Sequence, residues 1–159
     1  DQTRRDLSKE GKTPPVHPAD NVLNIIAGQY GRLGKAHGAG FYEYPPDKPK
    51  YLWPRLEAFF PPQNGRLSQQ EMIDRLMFIQ ALETTRCYEE NVVRSVADAN
   101  IGSIFGWGFA PFKGGTLQFI NDYSINDFIT RCRQLAANYG RRFEPSALLE
   151  DMAHSNQKF

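Results

Sequence analysis

The clearest pattern in the chain is "RLSQQEMIDRLMFIQALETTRCYEENVVRS", where apolar residues recur at three- and four-residue spacing. That period predicts a helix over about residues 69–93. Ser68 and Glu71 stand in the S-x-x-E order of a capping box, in which each side chain satisfies the other residue's orphan backbone N–H. Leu67 and Met72 occupy the positions of a hydrophobic staple. Three opposite-charge pairs lie four residues apart (Glu71 with Arg75, Arg86 with Glu90, Glu90 with Arg94), each worth about 0.2–0.5 kcal/mol on a helix surface. The apolar residues form two faces. Ile73, Leu76, Met77, Thr84, Cys87 and Tyr88 share one, and Phe78, Leu82 and Val93 lie on another. A helix apolar on two sides is expected at the centre of a bundle.

Shorter helical patterns follow at 96–105, 116–122, 125–138 and 146–153. Ser95 and Asp98 offer a second capping box, Gly140 closes the third of these shorter helices, and Pro145 sits near the start of the last. Upstream, residues 1–19 are polar, hold three prolines and show no apolar period, which predicts an irregular lead-in. A short helix is expected at 20–30, with Asp20 as N-cap, Val22, Ile25 and Ile26 on one face, and Gly31 as stop. Phe41-Tyr42-Glu43-Tyr44 reads as an extended segment ended by Pro45-Pro46, and 52–60 as a small helix before Pro61-Pro62. No strand–turn–strand alternation appears. The expectation is an all-α fold, a helical bundle around one long central helix with one short hairpin. Three parts are expected: an irregular lead-in at 1–20, a linking region at 21–62 and a helical domain at 63–159.

At 159 residues and 40% hydrophobic, with 11 Phe, 7 Tyr and 2 Trp, the chain can bury a real core. A net charge of +1 argues against a nucleic-acid or membrane-surface partner. The apolar runs fall far short of the ~20 residues that span a bilayer, so no membrane span is expected. Cys87 and Cys132, far apart in sequence, read as reduced thiols of a reducing compartment, and a cytoplasmic location is expected. The chain opens on Asp1 rather than Met, which suggests a piece of a longer protein.

Known chemical signatures fail on inspection. "GAGFYE" offers Gly38 and Gly40, but Glu43 replaces the third glycine of a dinucleotide loop and no apolar strand precedes it. "QYGRLGKA" has Gly34-Lys35 but lacks the other places of a phosphate loop. Ser103 in "IGSIF" has neither glycine of a nucleophile elbow. His17, His37 and His154 lack a neighbour at ligand spacing. Asp74, Glu83, Glu89 and Glu90 read as a solvated charged face. No catalytic, cofactor-binding or metal residue is therefore assigned. "GWGFAPFKGG" remains. Gly106, Gly108, Phe109, Pro111, Phe112, Gly114 and Gly115 read as a structural corner, where glycines permit positive φ and close approach. Phe105, Trp107, Phe109 and Phe112 are expected to anchor it on the core.

Three stretches, "DRLMFIQALETTRCYEENVVRSVADAN", "GWGFAPFKGGTLQFIND" and "LAANYGRRFEPSALLEDMA", resemble in order and spacing the C-terminal helical domain of 3-hydroxyacyl-CoA dehydrogenases. The version resembled is the one that closes multifunctional fatty-acid β-oxidation enzymes. "GRLGKAHGAGFYEYP" resembles the segment that ends the first copy of that domain. The resemblance implies a fold like the C-terminal domain of 6-phosphogluconate dehydrogenase-like proteins. It also implies that NAD and the catalytic pair belong to a Rossmann domain elsewhere in a parent protein, with no cofactor in this chain. Asp74 stands where the catalytic copy has an Asn, and an acceptor-only carboxylate cannot donate as an amide does. The resemblance therefore implies the second, structural copy plus the tail of the first. That chain would be inactive alone. Its partners in the parent would be the first copy and the Rossmann domain, with an acyl-CoA substrate and possible enoyl-CoA hydratase activity; as a fragment it would pair with itself. The alternative is a non-enzymatic helical module that binds CoA, acyl-CoA or a partner protein, with Lys113, Lys35 and Arg32 meeting phosphates.

Overall fold

A computed structural model describes residues 2–14, 16, 17, 19–61 and 67–159. The chain divides into two compact units, 1–66 and 67–159. The expected boundary at 62/63 lies outside the described residues. Among those described, the fold is all-α, with eight α-helices and one two-stranded hairpin.

The first unit opens with a helix where an irregular lead-in is expected: α1, Gln2–Lys9. The prolines that suggest irregularity all lie beyond it, while Gln2 donates to Asp6 and Lys9 pairs with Asp6 along its surface. Helix α2, Ala19–Leu23, continues into a π-helical stretch, Asn24–Gln29. Asp20 lies inside α2 rather than capping it. Its carboxylate instead accepts the backbone N–H of His17 and pairs with Arg4. Ile26 is buried, Val22 and Ile25 are half-buried, and Gly31 follows at φ 61. The expected hairpin forms from β1, Tyr42–Glu43, and β2, Tyr51–Leu52, antiparallel with Tyr42 opposite Leu52. The small helix expected from residue 52 therefore starts later, as α3, Leu56–Phe59. Tyr30, Trp53 and Phe59 cluster as the small core of this unit.

The second unit is built on α4, Gln69–Glu89. Half of the expected capping box forms: the Glu71 N–H donates to Ser68 Oγ at 3.1 Å. The Glu71 carboxylate turns away to Arg131. Helix α4 stops before the expected residue 93 because Asn91 adopts φ 59. The Val92 N–H then donates to Cys87 O and the Asn91 N–H to Tyr88 O, which is a Schellman ending with Asn in the glycine position. The remaining helices are α5, Val96–Trp107; α6, Thr116–Tyr123; α7, Ile125–Tyr139; and α8, Ala147–His154. Ser95 and Ser124 cap α5 and α7 by accepting the N–H groups of Asp98 and Asp127.

Helix α4 packs against α5, α6 and α8, so it is the central element. Its buried side is Phe78, Ala81, Leu82 and Thr85. Phe78 stacks on Phe128 at 4.3 Å and meets Phe119 and Tyr123 edge-on. Thr85 returns its hydroxyl hydrogen bond to Ala81 O, so burial leaves no orphan donor there. The other expected face is only partly covered: Thr84 is buried and Met77 and Tyr88 pack against the core, while Ile73 and Leu76, with Met72 beside them, are exposed. The last turn of α4 organises the loop before α8. Arg86 donates to the carbonyls of Arg142 and Glu144. Glu89 accepts the Leu148 N–H, which serves α8 in place of Ser146, whose side chain makes no cap.

Candidate functional site

Asp74 projects from α4 toward α7 and is 5% exposed. The reading of a solvated face holds for Glu83, Glu89 and Glu90, which are exposed. It fails for Asp74, because the carboxylate has internal partners that offset its desolvation. Arg131 Nε donates to Oδ2 at 2.8 Å and Gln70 Nε2 donates to Oδ1 at 2.6 Å. The same guanidinium reaches Glu71 through its other nitrogen. One Arg thus bridges two carboxylates three residues apart on α4, a spacing that puts both on one face. The hydrogen bond from Arg131 holds the Glu71 carboxyl below its ordinary value of 4.5, against the opposing effect of burial. Burial and then the charge of Asp74 push the Tyr123 hydroxyl up. Burial and then a bond to Glu71 do the same for Tyr139. This arrangement clamps α4 to α7. All three ionised groups are saturated by one another, which suits structure rather than proton transfer.

The corner is shorter than the sequence suggests. Gly106 lies within α5, and a Cβ there would meet nothing. The turn begins at Gly108, φ 79, passes through a 3₁₀ turn at Pro111–Lys113, and ends at Gly114 and Gly115, φ 72 and 108. Phe109 is the one expected anchor that reaches the core. Phe105 and Phe112 are each 85% exposed, and Trp107 is held at the surface by its Nε1–H donating to Gln80. Gly115 is needed for space as well as conformation: a Cβ would lie 2.5 Å from Asn100 Cα.

That contact lets α5 cap α6. Asn100 Oδ1 accepts the N–H groups of Leu117 and Gln118 at 2.9 and 3.1 Å. Ser103 Oγ accepts that of Thr116 and donates to Asn100 O. The first-turn donors of α6, which would otherwise receive an anion, are satisfied from inside. Asn100 and Ser103 were missed in the sequence. Their signal was the lack of any capping side chain before α6, where Gly115 occupies the N-cap.

The cations considered for phosphates belong to two different units, Arg32 and Lys35 to the first and Lys113 to the second. Arg32 is engaged within its own unit: it donates to Gly40 O and Tyr42 O, pairs with Glu43 at 2.9 Å and lies over Trp53. Lys35 is exposed in that unit, whereas Lys113 is half-buried in the other, near the Phe119 ring. The Gly38–Gly40 stretch does not fit a dinucleotide either. A Cβ on Gly40 would lie 2.9 Å from Gly34 Cα, so the close approach is between two parts of this loop. Among the described residues no group of His, Cys, Asp and Glu has a metal-holding arrangement, and no helix is long and apolar enough to cross a membrane. Both cysteines are free, and burial pushes the Cys132 thiol up to about 12.

No family model matches the chain. Individual relatives match it nearly end to end. The fatty acid oxidation complex subunit alpha of Pseudomonas savastanoi pv. phaseolicola is 34% identical over 164 residues, covering 98% of this chain and 22% of that protein. Subunits of the same name from Pseudomonas paraeruginosa and Pseudomonas aeruginosa are 31% identical over 162 residues, with the same coverage. The chain therefore spans about a fifth of the length of the curated relatives it matches.

Proposed function

We propose, for a chain homologous over 98% of its length to a stretch of fatty acid oxidation complex alpha subunits, that it is the C-terminal helical part of a β-oxidation enzyme. The parent's reaction is NAD-dependent oxidation of 3-hydroxyacyl-CoA to 3-ketoacyl-CoA. This chain is a structural part of it, and hydride chemistry belongs to a nucleotide-binding domain elsewhere in the parent. The other domains of the parent are its partners, and the cytoplasm is its expected setting.

The observation that carries this reading is the fate of Asp74. The one buried carboxylate of the long helix is consumed by Arg131 and Gln70, so it is bound as a clamp and presents no free acid or base. The homology supports the pathway, and the clamp supports the structural role. The purified chain, mixed with acetoacetyl-CoA and NADH, is expected to leave NADH absorbance unchanged, while the longer protein consumes it. NADH oxidation by the purified chain would sink the proposal, as would a full-length protein that lacks the activity.

The alternative of a CoA-binding module has less support. The α6 N-terminus is already capped by Asn100 and Ser103, and Arg32 is spent on the hairpin loop. Calorimetry with CoA separates the two readings: a heat of binding abolished by Lys113→Ala would favour the module.

A further inference from the structure

A depression of about 380 Å³ lies between the first half of α4 and the 3₁₀ turn at Arg141–Phe143. Its size falls in the range of roughly 300–1,000 Å³ that small-molecule pockets occupy. Met72, Leu76, Ile79 and Phe143 give it an apolar lining. Among the described residues, the charged side chains that line it are Arg75 and Arg142, both cationic.

Both arginines have lost the partners that their sequence neighbourhood offers. Glu71, one turn before Arg75, is bound to Arg131 instead. Glu144, two residues after Arg142, pairs with Arg141. Neither Arg75 nor Arg142 takes part in an ion pair among the described residues. Each guanidinium lies over a ring instead, Arg75 over Tyr139 at 4.2 Å and Arg142 over Phe143 at 5.1 Å. Such a contact steadies the cation. It leaves the planar fork of N–H donors free to meet a carboxylate.

We infer that this depression binds a hydrocarbon chain that ends in a carboxylate. A purely apolar ligand would strip water from two guanidiniums and return nothing to them. An inorganic anion would leave the exposed surface of Met72 and Leu76 in water and gain nothing from it. An ammonium-headed chain would set like charges against each other. A fatty carboxylate satisfies both parts of the site. Its chain covers Met72, Leu76 and Ile79, and its head receives charge-assisted hydrogen bonds in the bidentate geometry that arginine favours. Leu76 and Arg142 are exposed, so the ligand enters from solvent without a rearrangement of the helices. The inference stands on this depression alone and is independent of the parent's reaction.

The test is isothermal titration calorimetry of the full chain with decanoate below its micelle concentration, with folding of every variant checked by circular dichroism. Saturable binding at one site per chain is expected. Octanoate, two methylenes shorter, should bind about fifteenfold more weakly, since each buried methylene contributes about fourfold. Decyltrimethylammonium should give no saturable heat. Arg75→Gln and Arg142→Gln should each weaken decanoate binding about tenfold or more. Leu76→Asp, at an exposed position, should abolish it by placing a negative charge on the lining. Lys113→Gln, outside the depression, should leave it unchanged. Decanoate still unbound at about 1 mM, equal affinity for octanoate and decanoate, an ammonium chain bound as well as decanoate, or folded arginine variants that bind like the wild type would each overturn the inference.

Discussion

Arg131 holds two carboxylates of α4 at once, so removing one partner has consequences beyond a lost hydrogen bond. Asp74→Ala leaves Arg131 partly buried with only Glu71 and opens a polar gap between α4 and α7. A cost of about 3 kcal/mol is expected, toward the low end for a broken buried pair because part of the guanidinium still sees water. Urea unfolding measures it. Glu71 supplies a pH dependence. Its folded pKa is lowered by the Arg131 bond, so its contribution is present above its ordinary value of 4.5 and is lost as pH falls through the lower folded value. Stability should therefore decline on acidification below about pH 4.5, and Glu71→Gln should flatten that part of the curve. Sequence spacing puts residues 71 and 74 together, but it contains no hint that residue 131, 57 positions away, would join them. For that reason Asp74 reads as a surface charge until the fold is known.

At the scale of elements, boundaries were legible wherever a local cap sets them. Ser68, Ser95 and Gly140 begin or end α4, α5 and α7 close to the places that the sequence implies. Where the cap is distant, sequence reading fell short: the corner before α6 depends on Asn100 and Ser103 from another helix. Two glycines distinguish these cases. Gly115→Ala should destabilise by more than about 2 kcal/mol, since a Cβ would strike Asn100 in a backbone conformation that favours glycine. Gly106→Ala sits in a helix with open space and should stabilise by about 0.5–1 kcal/mol. Thermal melts of the two variants should move in opposite directions.

Across the whole molecule, the main core is contained in the second unit: its buried cluster runs from Phe78 to Met152. Residues 67–159 expressed alone are therefore expected to unfold in a single cooperative transition, coincident by circular dichroism and by tryptophan fluorescence from Trp107. A broad transition, or two separate ones, would show that this unit needs the rest of the chain. The partly covered face of α4 belongs to this scale too. Ile73 and Leu76 were visible in the sequence as part of one of two faces, but that Thr84 of the same face would be buried while they stay exposed depended on where the other helices came to lie.

The sequence by itself determined the all-α class, the long central helix, most helix limits and the kinship with β-oxidation proteins, because these rest on periodicity, on caps within four residues and on ordered motifs. The tertiary structure alone decided that Asp74 is clamped, that Phe112 faces water while Phe109 is buried, and that Met72, Ile73 and Leu76 of α4 stay exposed. Burial, ion pairing and uncovered surface are set by residues far apart in the chain, and no local pattern carries that information.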